Sequence, residues 1–264
     1  MRKKEQREEA LSPRMLVWAE NPADGEKAKR LAERLAAELV DAPPEDPENA
    51  LLLRFGEEGL TLQGGKMTLQ ADFAHLMNRM KQANLARELL VKAARVKTAG
   101  TPVAVDATAG LGEDAFLLAA AGFQVRMFEL DPVIAALLRD ALERARNTPA
   151  LAVAVARMEL TEGDSVAALP GISPPPDVVF LDPMFPARQK SALVKKKFQL
   201  LHQLEKPCVD EEALLQAALA ARPRRIVIKR PVKGPYLAGR RPDYSLTGKA
   251  VRYDCIILPP RAEE

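Results

Sequence analysis

The chain has 264 residues, 47% of them hydrophobic and 28% charged, with a formal net charge of +3; this is enough apolar material for a substantial core and excludes a chain disordered along most of its length. No uncharged apolar run approaches the roughly 20 residues of a bilayer span, and Met1 to Glu9 is a mixed charge cluster rather than a signal peptide, so no membrane contact and a cytoplasmic setting are expected. Two distant cysteines, Cys208 and Cys255, and two histidines, His75 and His202, provide neither metal-ligand spacing nor a disulfide framework; no metal is expected and both thiols read as small buried hydrophobes.

In chain order, Met15 to Ala19 reads as a short strand, and Asp24 to Val40 sets Ala and Leu at helical spacing between charges, with Asp24 as an N-cap. A Pro/Asp/Glu loop follows from Ala42 to Asn49. Leu51 to Phe55, Leu60 to Gln63 and Met67 to Phe73 read as strands separated by turns at Gly56, Gly59 and Gly64-Gly65. Ala74 to Lys97 is a long amphipathic stretch with Leu76, Met80, Leu85, Leu89 and Leu90 on its apolar side, and His75 within it reads as structural. Composition changes at Gly100-Thr101-Pro102. The expected organisation is a small N-terminal α+β domain with a basic helix over 1–98 and a larger domain over 99–264.

Strands and helices then alternate. Val103 to Thr108, Gln124 to Leu130, Val153 to Leu160, Asp177 to Asp182, Arg225 to Arg230 and Val251 to Leu258 read as strands; Glu113 to Ala121, Pro132 to Asn147, Ser191 to Leu204 and Asp210 to Ala221 read as helices. That rhythm predicts an α/β fold with a mainly parallel sheet covered on both faces. Ligands of such sheets lie outside the carboxyl ends of the strands, so the residues after each strand carry the most information.

The turn Asp106-Ala107-Thr108-Ala109-Gly110-Leu111-Gly112 lets a ligand approach backbone that a Cβ would shield. Gly110, Gly112 and Ala115 satisfy a loose G-x-G-x-x-G/A pattern with Glu129 further on, which admits a dinucleotide-dependent oxidoreductase. Glu113 and Asp114, however, load the first helical turn with negative charge where a pyrophosphate would sit. S-adenosylmethionine (SAM), with its sulfonium, amino group and ribose, suits Asp106, Glu113 and Asp114 better, although the two acidic residues stabilise a helix N-terminus in either case. Glu129, at the end of a strand, is placed to accept the ribose hydroxyls, and Pro132 starts the next helix. Asp164-Ser165, after the third strand, is placed to read an adenine amino edge or to cap a helix.

The apolar strand Val178 to Leu181 ends in Asp182-Pro183-Met184-Phe185-Pro186, which resembles the Asp/Asn-Pro-Pro-Phe/Tyr signature of amino-group methyltransferases. An exocyclic amine is a poor nucleophile because its lone pair is delocalised into the ring. Asp182 and the Pro183 carbonyl would accept its protons and localise that pair, with Phe185 stacked on a base turned out of its helix. Charge is also segregated: Arg188 to Arg252 holds 16 Lys/Arg against 5 Asp/Glu, and Lys66 to Lys97 holds 7 against 2. Solvated helix faces give the same counts, but a polyanionic partner fits them, and Arg188, Lys190, Lys195, Lys196, Lys229 and Arg230 are the candidate phosphate contacts. Arg240, Arg241 and Tyr244 follow in a loop that would close over RNA.

The glycine turn, Leu181-Asp182-Pro183-Met184-Phe185-Pro186, Gln189-Lys190-Ser191-Ala192-Leu193-Val194-Lys195-Lys196 and Val227-Ile228-Lys229-Arg230-Pro231 occur in that order. Together they resemble the RsmJ family of bacterial ribosomal RNA guanine-N2 methyltransferases over about residues 12 to 258. The resemblance implies a class I, Rossmann-like methyltransferase with a seven-stranded, mainly parallel sheet behind a small α+β domain. It implies SAM on Glu113, Asp114, Glu129, Leu130, Asp164, Ser165 and Asp182, and as partner 16S ribosomal RNA or the small ribosomal subunit. The chain departs from the family at Glu113, where Arg is common, at Leu130-Asp131-Pro132, in the leucine-rich Ala74 to Lys97, and after Pro231. Methylation of an adenine N6, a dinucleotide-dependent oxidoreductase and a non-catalytic RNA-binding protein are the alternatives.

Overall fold

A computed structural model describes residues 14–45, 49–183 and 210–259. The described residues through Ala71 form one compact unit and those from Asp72 onward another.

In the first unit, β1 (Arg14–Ala19) leads through a 3-10 turn into α1 (Gly25–Leu35), followed by β2 (Glu38–Leu39), β3 (Ala50–Gly56), β4 (Gly59–Gly64) and β5 (Met67–Leu69). The sheet runs β2-β1-β3-β4-β5, with β1 parallel to both its neighbours and the remaining pairs antiparallel. Helix α1 buries Ala28, Leu31 and Ala32, one stripe at helical spacing. It stops at Leu35 rather than near Val40, because Ala36 turns left-handed at φ 49° and Glu38–Leu39 pair with Leu16–Val17 instead. Asp24 makes no side-chain cap; Asn21 accepts from the Ala23 amide of the 3-10 turn, and Asp24 pairs with Lys27 at 3.0 Å.

The second unit begins with a 3-10 turn at Ala74–Leu76, α2 (Gln82–Leu85) and α3 (Leu89–Ala94). The amphipathic stretch is thus not one helix: Lys81 and Glu88 take extended backbone, with ψ of 135° and 126°, and break it twice. These pieces lie with the larger unit and not with the residues before Ala71. Phe73 stacks on Phe116 at 4.9 Å, Leu85 and Val91 cluster with Leu117, and the Arg225 guanidinium donates to the Ala93 and Arg95 carbonyls at 2.7 and 2.8 Å.

There follow β6 (Val103–Asp106), α4 (Glu113–Ala120), β7 (Gln124–Glu129), α5 (Pro132–Arg146), α6 (Pro149–Val155), β8 (Met158–Glu162), α7 (Ser165–Ala168), β9 (Val178–Leu181), α8 (Glu211–Ala220), β10 (Arg225–Pro231), β11 (Tyr244–Thr247) and β12 (Val251–Ile257). The seven-stranded sheet has the order β11-β12-β10-β9-β6-β7-β8, with β8, β7, β6, β9 and β10 parallel and β12 antiparallel to both its neighbours. Val178 to Leu181 are all buried, as a strand covered on both faces requires. From β6 the chain builds outward first through β7 and β8 and then, on the other side, through β9 and β10. The crevice at that reversal opens at the carboxyl ends of β6 and β9.

Two expectations change here. Val153 to Leu160 is not one strand: α6 runs through Val155, started by Pro149 in its first turn and burying Leu151, Ala154 and Val155 at helical spacing, and β8 begins only at Met158. An Ala/Val run alternates well enough to suit either state, and packing decides it. Tyr244–Thr247, read as loop, pairs with β12 as an edge strand. Among the described helices none is long and apolar enough to cross a membrane. Cys255 is buried, whereas Cys208, His202 and the expected helix over Ser191 to Leu204 lie outside the described residues.

Gly112 precedes α4 at φ +77°, where a Cβ would come within 2.6 Å of Leu138 Cδ1. Gly112→Ala is expected to lower stability by about 1–3 kcal/mol through backbone strain and overpacking, read as an earlier urea midpoint. An unchanged midpoint would show that α5 yields freely at Leu138.

Candidate active site

The glycine turn after β6 is tied to both neighbouring strands. Ala107 donates to the Phe180 carbonyl and Ala109 to the Phe128 carbonyl, each at 3.0 Å. Asp106, 1% exposed, accepts from the Thr108 amide at 3.1 Å, and Thr108 Oγ1 accepts in turn from the Asp182 amide at 2.7 Å. The Asp-x-Thr of the turn thus fixes the end of β9. On the other side the Gly110 amide donates to Glu129 Oε2 at 2.7 Å, and Glu129 Oε1 accepts from the Asp131 amide at 2.8 Å. Burial pushes the Glu129 carboxyl above its ordinary range, and backbone amides of Asp131, Gly110 and Leu130 oppose the push.

Asp131 accepts from Val133 and Ile134 at 2.8 and 3.0 Å and so caps α5. Leu130, just past Glu129, is 69% exposed, an unusual setting for a leucine beside a polar crevice. At the end of β8, Asp164 caps α7 by accepting from Val166 at 2.8 Å, and Ser165 is buried. The cap reading of this pair is therefore present, with the second Asp164 oxygen left over.

At the end of β9 and along β10 lies a denser charge cluster. Lys229 Nζ donates to Asp114 Oδ2 at 2.6 Å and to Asp182 Oδ2 at 2.8 Å. Burial works against the Lys229 charge, but the two carboxylates outweigh it and hold the ammonium above its ordinary value. Burial raises Asp182; Lys229 opposes this and Asp114 adds to it. Asp106 is raised well above the usual carboxylate range, first by burial and then by Asp114 and Asp182, against its Thr108 bond and Lys229. Tyr253, 6% exposed, stands directly across from Lys229 in the β10–β12 register, and burial with the nearby Asp114 carboxylate raises its phenol.

Glu113 sits beside His75, whose Nε2 is 3.4 Å from Glu113 Oε1. The two expected phosphate contacts on β10 part company. Lys229 turns into the carboxylate cluster, and Arg230, 1% exposed, donates to the Pro235 carbonyl at 2.8 Å and to Glu211 at 3.3 Å. Adjacent strand residues point to opposite faces, so the pair cannot present one basic surface; Arg230 is corrected to a buried anchor of the loop after β10. Pro183 is buried, whereas Phe185, Arg188, Lys190, Lys195 and Lys196 lie outside the described residues. Sequence reasoning missed Thr108, although its place inside the turn signals it, and Tyr253, which only the antiparallel register identifies.

Asp114 and Asp182 around one ammonium leave an excess of negative charge at strand ends whose backbone is opened by Gly110 and Gly112. That chemistry fits a cationic ligand carrying a ribose and disfavours a pyrophosphate. Among the described residues no group of His, Cys, Asp and Glu is arranged to hold a metal ion.

Residues 35–258 match the sequence model of a family described as "Putative SAM-dependent methyltransferase". The ribosomal RNA small subunit methyltransferase J of Pseudomonas aeruginosa is 43% identical over 263 residues, covering 96% of this chain and 98% of the relative. Its counterpart from Thioalkalivibrio sulfidiphilus is 41% identical over 241 residues, covering 88% and 94%. Among solved structures, a SAM-dependent methyltransferase from Neisseria gonorrhoeae superposes with a TM-score of 0.71 at 31% identity, covering 92% of this chain and 95% of the other.

A carboxyl whose folded value is raised stabilises the fold below its unfolded value and loses that contribution as pH rises through the folded value. Asp106 is such a group. Asp106→Asn, which keeps an acceptor for Thr108, is expected to melt a few degrees above wild type at pH 7, the gain shrinking as pH falls toward the ordinary carboxylate range. Calorimetry at both pH values reads this; lower stability at pH 7 would show that the charged form is favoured.

Proposed function

The chain belongs to the SAM-dependent methyltransferase family, and from that membership we propose that it is a cytoplasmic enzyme methylating the exocyclic N2 of a guanine in the 16S RNA of the small ribosomal subunit. The observation that carries this reading is Asp182, an acceptor at the end of β9, tied to the glycine turn through Thr108 and to Lys229. The curated relatives, which match nearly the whole chain and are named for the small-subunit ribosomal RNA, support the substrate class.

In this reading the cofactor is held by backbone and carboxylates at the strand ends. Asp106, Gly110 and Gly112 form the cradle; Glu129 keeps a lone pair on each oxygen for the ribose; exposed Leu130 covers the adenine face while Asp164 and Ser165 meet its edge. Glu113, Asp114 and Asp182 supply negative charge for the methionine end. When bound, SAM supplies an electrophilic methyl on a sulfonium.

The remaining work belongs to the protein. Asp182 Oδ2 is engaged by Lys229, which leaves Oδ1 to accept an N–H of the target amine, with the Pro183 carbonyl as second acceptor. Two such bonds draw the amine lone pair out of conjugation and aim it at the methyl. The proton that the methylated amine sheds passes to Asp182 Oδ1. Lys229 is a positioning residue: it holds Asp182 ionised against burial and fixes its second oxygen. Phe185 stacks on the base, and Arg188, Lys190, Lys195 and Lys196 meet the flanking phosphates.

Small subunits from cells lacking the gene, labelled SAM and nucleoside mass spectrometry test the reading. N2-methylguanosine is the expected product, and N6-methyladenosine would overturn the choice of base. Asp182→Ala should lose at least about 100-fold in kcat at saturating SAM; a near wild-type rate would remove Asp182 from the mechanism. In Lys229→Met the opposing cation is gone, Asp182 rises further, and the acidic limb of the pH–rate profile should move to higher pH. An unmoved limb would show that Lys229 does not tune Asp182.

A further inference from the structure

Beside the carboxylate cluster, and within the second unit, is a cleft of about 520 Å³ lined by Asn78, Arg79, Asn84, Arg87, Lys249 and Tyr253, with Glu88, Leu89 and Val251 also in its walls. One wall is the stretch from Asn78 through α2 to the start of α3; the other is the β11–β12 hairpin. The walls are fixed. Arg79 holds Glu88 in a two-pronged pair at 2.8 and 2.8 Å, and Asn84 donates to the Asn78 carbonyl at 2.8 Å. Gly248 closes its turn by donating to Val251 at 2.8 Å and packs so near Leu89 that a Cβ would lie 2.9 Å from Cδ1.

The charge of the cleft is unbalanced. Its one carboxylate, Glu88, is neutralised by Arg79, and Glu88 is held below its ordinary value chiefly by that hydrogen bond. Arg87, on one wall, and Lys249, on the other, are exposed, and neither has an ion-pair partner among the described residues. Two uncommitted cations in a lining that also holds Leu89, Val251 and Tyr253 offer a phosphate and an apolar contact together. The volume falls in the range of small-ligand sites and is too small for a duplex.

Its position fixes what that ligand is. Tyr253 pairs across the strands with Lys229, which touches Asp182, and Val251 pairs with Pro231 at the carboxyl end of β10. Cross-strand partners have Cα atoms about 4.5–5.5 Å apart, so the cleft opens one side chain away from the acceptor proposed for the target amine. A base turned out toward Asp182 brings its neighbouring nucleotide with it.

We propose that this cleft binds the nucleotide flanking the target base, with its phosphate between Arg87 and Lys249 and its ring against Tyr253. The proposal rests on the RNA-methyltransferase reading and adds a second binding site to it. The divergent leucine-rich stretch then provides RNA contact through Arg87, while its leucines hold the wall in place.

The test uses the full chain carrying Arg87→Glu and Lys249→Glu, with small-subunit RNA as ligand and substrate and Lys29→Glu with Arg30→Glu, both exposed on α1, as the control of like charge change. RNA affinity is expected to fall at least about tenfold, and the slope of log affinity against log salt to shrink by about 0.7 for each phosphate that the variant no longer neutralises. The kinetic loss should fall on the KM for RNA more than on kcat, with SAM affinity retained. Arg87→Gln with Lys249→Gln should show the same direction with a smaller loss, which separates charge loss from misfolding. A double variant with the affinity, slope and KM of the Lys29→Glu, Arg30→Glu control would overturn the cleft while wild-type transfer leaves the methyltransferase reading standing. Failure of wild-type protein to methylate the RNA would overturn both.

Discussion

One lysine ammonium between two aspartates sets the chemistry of the second unit. Lys229 reaches from β10 to Asp114, in the first turn of α4, and to Asp182, just past the end of β9, so a single side chain ties the helix to two neighbouring strands. Such a pair contributes little net stability, since desolvation cancels most of the attraction. Its value lies in geometry. With Lys229 pulling on one oxygen, Asp182 has a defined rotamer and a defined remaining acceptor. Asp182 is nevertheless raised rather than lowered, because its burial and the Asp114 charge together exceed what one cation returns. The site is therefore held short of neutrality, the condition under which a cationic ligand improves the electrostatics of its host.

The backbone makes this arrangement possible. At the reversal between β6 and β9 the turn after β6 has room to leave the sheet, and its amides are shared between the two neighbouring strands: Ala107 to Phe180, Ala109 to Phe128, Gly110 to Glu129. Gly112 then lets α4 start against Leu138 with its acidic first turn toward Lys229. Core packing and site geometry share the same few residues, and the Phe73–Phe116 stack at 4.9 Å anchors the other face of α4 to the residues that lead into the cleft wall.

The glycine turn, Glu129, the Asp182-Pro183 strand end and the apolar central strands were legible in the sequence because each depends on local chemistry: a positive φ, a strand end, an uninterrupted apolar run. What was not legible depends on partners distant in the chain. Lys229 and Arg230 look alike as a basic dipeptide, but strand alternation sends one into the carboxylates and the other beneath the loop after β10. The Ala/Val run of α6 has no periodicity strong enough to distinguish helix from strand until it packs. Neither the two breaks in the 74–97 stretch nor its place beside the seven-stranded sheet follows from its amphipathic pattern, because Arg225, which binds its last carbonyls, lies more than a hundred residues away.

On the proposed reading, the same stretch separates recognition from reaction. Asp182, Lys229 and the glycine turn are specified by each other and leave little freedom to vary without losing the acceptor. The cleft beside them has its shape fixed by Leu89, Gly248 and the Arg79–Glu88 pair, whereas Arg87 and Lys249 are exposed and form no ion pair among the described residues. On the proposed reading, substitution at these two exposed positions would change what polyanion lies next to the reactive base. Electrostatic contacts of this sort set encounter and register, and direct acceptors at the amine set the chemistry. With phosphate contacts in the cleft and the proposed acceptor at the end of β9, joined through the Lys229–Tyr253 strand pair, the choice of RNA would change while the acceptor stays fixed.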